Sequence, residues 1–109
     1  MFVRTYIEDI GILAKCNKSE QSVILCSLKY LDYGTNELLL TPARRKELCD
    51  CAGLKLNTVN MAVSTLYKKN IFIKKDGSTF LNPKLFFYGT DIDREKQFQL
   101  IVNYTIESD

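Results

Sequence analysis

The side chains best suited to specific chemistry lie in residues 53–69, and that chemistry is base recognition. Val59, Ala62, Val63 and Leu66 recur at the spacing of a helix with one buried face, which leaves a polar face opposite. Asparagine amides can pair with adenine, and threonine or methionine side chains can contact a thymine methyl group. The residues predicted to read bases are Asn57, Thr58, Asn60, Met61 and Ser64.

Positive charge is concentrated in the same part of the chain. Residues 41–75 carry eight basic and two acidic side chains, a net charge of +6, whereas the remainder has a net charge of −4. This asymmetry indicates an anionic partner for the segment. Lysine and arginine bind phosphates, which position a protein on a duplex without reading its sequence. The residues predicted to bind phosphate are Arg44, Arg45, Lys46, Lys55, Lys68, Lys69, Lys74 and Lys75.

Simpler explanations stay open for some of these residues. Asn57 or Thr58 could serve only as a cap for the helix, and the cations at 44–46 could be merely solvated. The polar face of the helix contains no arginine. Strong guanine recognition is therefore not predicted, and an A·T-rich site is weakly favoured.

A helix-turn-helix is the scaffold that the sequence predicts for these side chains, over about 42–69. Thr41-Pro42 favours a helix start, since threonine caps free amides and proline suits the first helical position. Gly53 favours a helix end and a tight turn, and a second helix follows over about 56–69. Asn70 is the predicted left-handed cap of that second helix.

A β-hairpin is predicted directly after the two helices, over about 71–81. Asp76-Gly77 separates two β-prone runs there, which is a strong hairpin signal. The order of strand, helix, helix and hairpin is that of a winged helix. The predicted fold class is mainly α with small β (α+β), a winged helix-turn-helix with a two- to three-stranded wing sheet, in a single domain over 1–109.

The flanking segments supply further predicted elements. Helical spacing of apolar residues predicts an amphipathic helix over 2–14, and Asn17 with Glu20 predicts a capping box at the start of a helix over about 19–31. A short strand is expected over 37–40. Alternating apolar residues predict a C-terminal strand over about 98–106.

Several function classes are not supported by the composition. The chain has no histidine, and its four cysteines lack zinc-site spacing, so no metal, cofactor or catalytic residue is predicted. The cysteines are expected to be free thiols in a reducing compartment. No apolar run is long enough to span a membrane and no signal peptide is visible, so a cytoplasmic protein is expected.

The chain resembles the RepL family of bacterial plasmid replication proteins over roughly residues 2–90. The particular features are the Tyr-Leu-Asp-Tyr turn at 30–33 and Leu-Asn-Pro-x-Leu-Phe at 81–86, with further matching stretches at 2–10, 18–25 and 53–69. Two positions depart from the family pattern: Lys55 stands where serine is usual, and Asn70 where glycine is usual. The resemblance implies a winged-helix-like fold, a role in plasmid replication initiation or copy control, and host replication proteins as partners.

The predicted function is thus sequence-specific binding of double-stranded DNA without enzymatic activity. A transcriptional regulator on the same fold is one alternative. A winged helix that docks to a protein partner and does not bind DNA is another. A homodimer is expected, built from the helix over 2–14, the C-terminal strand or both, because paired modules double the length of DNA that is read.

Overall fold

Helices form most of the fold and short strands pair twice, in a computed structural model that describes residues 2–6 and 10–103. Strand β1 (Arg4–Thr5) pairs antiparallel with β4 (Phe86–Phe87), and β2 (Phe72–Lys75) pairs antiparallel with β3 (Ser78–Leu81). The predicted α+β winged-helix-like class is confirmed. The described elements are, in chain order, β1 (Arg4–Thr5), α1 (Ile10–Ala14), α2 (Lys18–Ser27), a 3₁₀ turn (Leu28–Tyr30), α3 (Pro42–Ala52), α4 (Leu56–Lys68), β2 (Phe72–Lys75), β3 (Ser78–Leu81), β4 (Phe86–Phe87), α5 (Asp91–Gln97) and a π-helical segment (Phe98–Asn103).

Helices α3 and α4 begin and end where the local sequence directs. The Thr41 hydroxyl accepts a hydrogen bond of 3.1 Å from the Arg44 amide, and Pro42 occupies the first helical position. Gly53 ends α3 in the left-handed conformation, with φ of 67°, which a residue lacking Cβ adopts without strain. Asn70 follows α4 with φ of 59°, as predicted for a left-handed cap.

The core lies where α2, α3 and α4 meet. Helix α2 starts at the predicted capping box, in which the Glu20 amide donates to Asn17 Oδ1 over 2.8 Å. Each of these helices contributes fully buried core side chains, among them Val23 from α2, Leu48 from α3 and Val59 from α4. Burial of such aliphatic side chains contributes about 1.5–3 kcal/mol each, so packing against α2 stabilises the helix-turn-helix.

The wing hairpin turns at Asp76 and Gly77, whose φ values of 51° and 81° suit a two-residue turn with both residues left-handed. The hairpin pairs Phe72 with Leu81 and Lys75 with Ser78. The strand expected over 37–40 is reduced to one bridge between residues 37 and 80, extended by the hydrogen bond from the amide of residue 38 to the carbonyl of residue 79. The wing therefore has two full strands with a minimal third.

The predicted helix over 2–14 is wrong at its start. Arg4 and Thr5 are extended and pair with Phe87 and Phe86, and the Tyr6 amide donates to the carbonyl of residue 85. Helix α1 covers only Ile10–Ala14, while residues 7–9 lie outside the described residues. Helical spacing of apolar residues could not reveal this strand, because its partner lies some eighty residues away.

The predicted strand over 98–106 is also wrong, because residues 98–103 are helical and residues 104–106 lie outside the described part. Phe98 and Ile101, three positions apart, pack with Ile73 and Phe80 of the wing, whereas Leu100 is 53% exposed. The alternation of apolar residues was compatible with either period over so short a segment. A helix, and not a further strand, thus supports the wing.

Two of the four cysteines are not the free thiols that the sequence predicts. Cys26 on α2 and Cys51 on α3 form a disulfide, with their Cα atoms 6.0 Å apart. Cys16 and Cys49 are free, the first buried and the second half-buried. The two bonded residues are 25 positions apart, so sequence spacing could not reveal that their helices meet.

Asn36 is a buried polar junction between the turn after α2 and the wing. Its Nδ2 donates to the carbonyls of Leu81 and Phe86 over 3.1 and 2.7 Å, and its Oδ1 accepts from the Tyr88 amide over 2.9 Å. It is fully buried, with φ of 61°. One side chain therefore fixes the base of β3 and the start of β4 against the helical body.

Candidate nucleic-acid interface

Helix α4 presents a continuous polar stripe to solvent. Asn57, Asn60, Met61 and Ser64 are exposed, and Met61 is 72% exposed. Thr58 is half-buried beside a cleft that α4 shares with the start of α2. The stripe spans about 10 Å along the helix axis at 1.5 Å per residue, which is about three base-pair steps. The structure thus brings together the side chains predicted to read bases.

The three cations of the first turn of α3 have different surroundings. The Arg44 guanidinium lies 4.1 Å from the centre of the Tyr30 ring and its Nε contacts Glu47 at 3.3 Å, so it is held against the body. Arg45 is half-buried and donates from Nη1 to Asn60 Oδ1 over 2.9 Å. Lys46 is exposed. Successive helical residues point about 100° apart, which separates these environments.

The start of α4 has no side-chain cap among the described residues. Lys55 occupies the capping position in an extended conformation, and its exposed side chain carries only donors, so it cannot cap the helix amides. The helix nevertheless begins at Leu56. The amides of the first turn therefore lack a side-chain partner, and the start of a helix in this state can bind a phosphate.

The two lysines at the end of α4 differ in their contacts. Lys68 is exposed, whereas Lys69 Nζ lies 2.7 Å from Glu20 Oε1 at the start of α2. Glu20 is only 5% exposed, and its hydrogen bond with Lys69 lowers the pKa of the carboxyl group. The same hydrogen bond raises the pKa of Lys69. Lys69 therefore joins two helices and is less available for phosphate than Lys68.

The two lysines of the wing, Lys74 and Lys75, also differ in their surroundings. Lys74 is exposed and lines a cleft of about 260 Å³ between the wing and α3, together with Thr41, Arg45 and Ser78. Lys75 is half-buried and its Nζ donates to the carbonyl of Leu100 over 2.8 Å. The cleft thus carries one cation from the helix-turn-helix and one from the wing.

Two contacts of this region could not be predicted from the sequence pattern. The Arg45–Asn60 hydrogen bond joins residues 15 positions apart across the helix-turn-helix, and no spacing rule pairs them. Asn82, from the Leu-Asn-Pro segment, donates from Nδ2 to the carbonyl of Asn70 over 2.9 Å. That bond fastens the end of α4 to the segment after the wing, which explains the structural use of asparagine there.

The described residues show no cluster of metal ligands and no helix that could span a membrane. Within 2–6 and 10–103, no three side chains of the histidine, cysteine, aspartate and glutamate types cluster as metal ligands would. In the acidic segment after β4, Asp93 caps the start of α5 together with Thr90, and Asp91 pairs with Arg4. None of the helices in those ranges is both long and apolar enough to cross a membrane.

Comparison with known proteins places the chain in a family. No curated protein and no solved structure gives a significant match. The model of the Firmicute plasmid replication protein (RepL) family matches residues 2–108, nearly the whole chain. The match includes β1, the helix-turn-helix, the wing and α5. The chain therefore belongs to the Firmicute plasmid replication protein (RepL) family.

Proposed function

We propose that the chain binds double-stranded DNA, with α4 in the major groove and the wing along the adjacent backbone. The observation that carries this proposal is the exposed polar stripe on α4, bordered by the Arg45 and Lys74 cleft. Helix-turn-helix proteins insert their second helix into the major groove in this way. Such binding involves no enzymatic step.

The contacts divide the eight predicted phosphate ligands into two groups. Three of them already have partners within the fold. Arg44 contacts Tyr30 and Glu47, and Lys69 pairs with Glu20. Lys75 donates to a backbone carbonyl. The five that remain are Arg45, whose partner Asn60 lies in the polar stripe of α4, and the exposed lysines Lys46, Lys55, Lys68 and Lys74. We assign phosphate contacts to these five.

Salt dependence tests the assignment. Five phosphate contacts imply a log–log slope of affinity against salt of about −4.5, or a loss of about 500-fold between about 50 and 200 mM salt. Fluorescence anisotropy with a labelled duplex measures both quantities. No duplex binding at low salt would reject the proposal and favour the protein-docking alternative.

Adjacent lysines provide a matched pair of variants. Lys68→Ala should weaken duplex binding and leave the melting temperature unchanged, because Lys68 is exposed. Lys69→Ala should lower the melting temperature, because it leaves the carboxylate of Glu20 buried without its cation. Equal effects of the two variants on binding and on stability would contradict the division.

Plasmid replication initiation or copy control is the role that we propose for this binding, in the cytoplasm and with host replication proteins as partners. It follows from family membership together with the candidate interface. A transcriptional regulator would use the same contacts. Footprinting on the plasmid that encodes the chain distinguishes them, since protection over the origin supports replication and protection confined to a promoter supports regulation.

The homodimer remains a prediction, but the surface that could form it differs from the one expected from the sequence. A tail strand cannot mediate it over residues 98–103, because that segment is helical and packs on the wing. The apolar side chains Ile10 and Leu25 are 48% and 61% exposed beside one cleft of α1 and α2. Sedimentation of the full chain, with and without duplex, tests the state. A monomer at tens of micromolar in both conditions would reject the dimer.

A further inference from the structure

We propose that Arg45 sets which base Asn60 recognises, so that the two side chains act together as a guanine-reading unit within the DNA interface. This inference rests on the proposed function. It concerns an arginine that belongs to α3, outside the helix expected to read bases. The sequence pattern of α4 favoured adenine, since that helix has no arginine of its own.

The hydrogen bond fixes the orientation of the Asn60 amide. An amide oxygen and nitrogen are often interchangeable, but a guanidinium has only donors. The atom of Asn60 that lies 2.9 Å from Arg45 Nη1 must therefore be Oδ1. The Nδ2 group, with its two N–H bonds, is then directed away from Arg45.

An amide held in this orientation presents a donor to a base edge. Bidentate pairing with adenine needs Oδ1 to accept from the base amino group while Nδ2 donates to N7. Arg45 already occupies one of the two acceptor sites of Oδ1, so an adenine amino group would have to share that oxygen with the guanidinium. The acceptors N7 and O6 of guanine suit a donor surface instead, and the other N–H groups of Arg45 add to that surface.

The position of Arg45 supports a role in reading as well as in anchoring. Its side chain is half-buried in the cleft between α3 and the wing, which restricts its conformations. Asn60 is exposed near the middle of the polar stripe of α4. Lys46, the next residue of α3, is exposed and forms no hydrogen bond or ion pair with the described residues, so it is a matched control.

Selection from a randomised duplex library tests the proposal on the full-length chain. The wild type should enrich guanine at one position by about tenfold over adenine, the discrimination of one good base contact. Arg45→Ala should shift that same position toward adenine, because Oδ1 is released. Asn60→Ala should abolish the preference there, and Lys46→Ala should lower affinity while leaving the selected sequence unchanged.

The outcomes separate this inference from the proposed function. If Arg45→Ala lowers affinity as Lys46→Ala does, with the selected sequence intact, Arg45 is a phosphate contact only and the inference is overturned. Enrichment of adenine by the wild type at the position that Asn60→Ala alters would overturn it too, as would duplex binding without any sequence preference. Failure of the wild type to bind any duplex would overturn the proposed function itself. Circular dichroism and thermal melts establish that each variant is folded.

Discussion

Replacing Asn36 by alanine should destabilise the fold more than any exposed substitution. The change removes three hydrogen bonds and leaves the buried carbonyls of Leu81 and Phe86 and the amide of Tyr88 without this partner. At about 1 kcal/mol or more for each bond, the loss is at least about 3 kcal/mol. Alanine at φ of 61° adds about 1 kcal/mol of backbone strain. The expected cost is about 4 kcal/mol.

Two further variants divide that total into its parts. Asn36→Gly loses the same hydrogen bonds but tolerates the left-handed backbone, so it should be about 1 kcal/mol less destabilising than alanine. Asn36→Asp directs an acceptor toward two carbonyl oxygens and should be at least as damaging as alanine. Asn57→Ala, at an exposed asparagine, should change stability by less than about 0.5 kcal/mol.

Urea unfolding followed by circular dichroism measures these free energies. A loss of about 4 kcal/mol is a large fraction of the stability of an ordinary domain, so the alanine variant should unfold at much lower urea concentration. A cost below about 1 kcal/mol for Asn36→Ala would refute the argument. So would a glycine variant less stable than the alanine variant.

Three other perturbations follow from contacts between elements. Lys69 lowers the pKa of Glu20, so the contribution of this carboxylate to stability is complete above the ordinary value near 4.5 and is lost as the pH falls through the lowered folded-state value. Glu20→Gln should therefore flatten the acid side of a plot of melting temperature against pH. An acid side that is unchanged in the variant would contradict this. Reduction of the disulfide, or Cys51→Ser, should cost about 3.5 kcal/mol by the chain-entropy estimate for a 25-residue separation. An unchanged melting temperature in reductant would show that Cys26 and Cys51 are not bonded. Ile101→Ala should cost about 2–5 kcal/mol and weaken duplex binding by loosening the wing, and binding that is unaffected under folded conditions would separate the wing from the interface.

Local sequence determined the elements that carry the candidate site. Thr41-Pro42 and Gly53 set both ends of α3, because capping, proline and a left-handed glycine act within a few residues. Asp76-Gly77 placed the hairpin turn by the same kind of short-range preference. The apolar residues between Val59 and Leu66 identified the buried face of α4, and the remaining residues identified its polar face. These inferences succeeded because their causes lie inside one turn or one helix.

Tertiary structure decided what depends on distant partners. Arg4 and Thr5 became a strand because β4 is available to them, and residues 98–103 became helical while covering the apolar side of the wing. Packing also divided the cations: Lys69 meets Glu20 while Lys68 remains exposed, and Arg45 reaches Asn60 while Arg44 lies over Tyr30. A count of charges along the sequence cannot distinguish one lysine or arginine from its neighbour. Only the three-dimensional positions of the carboxylate, the amide and the aromatic ring give each cation a different partner.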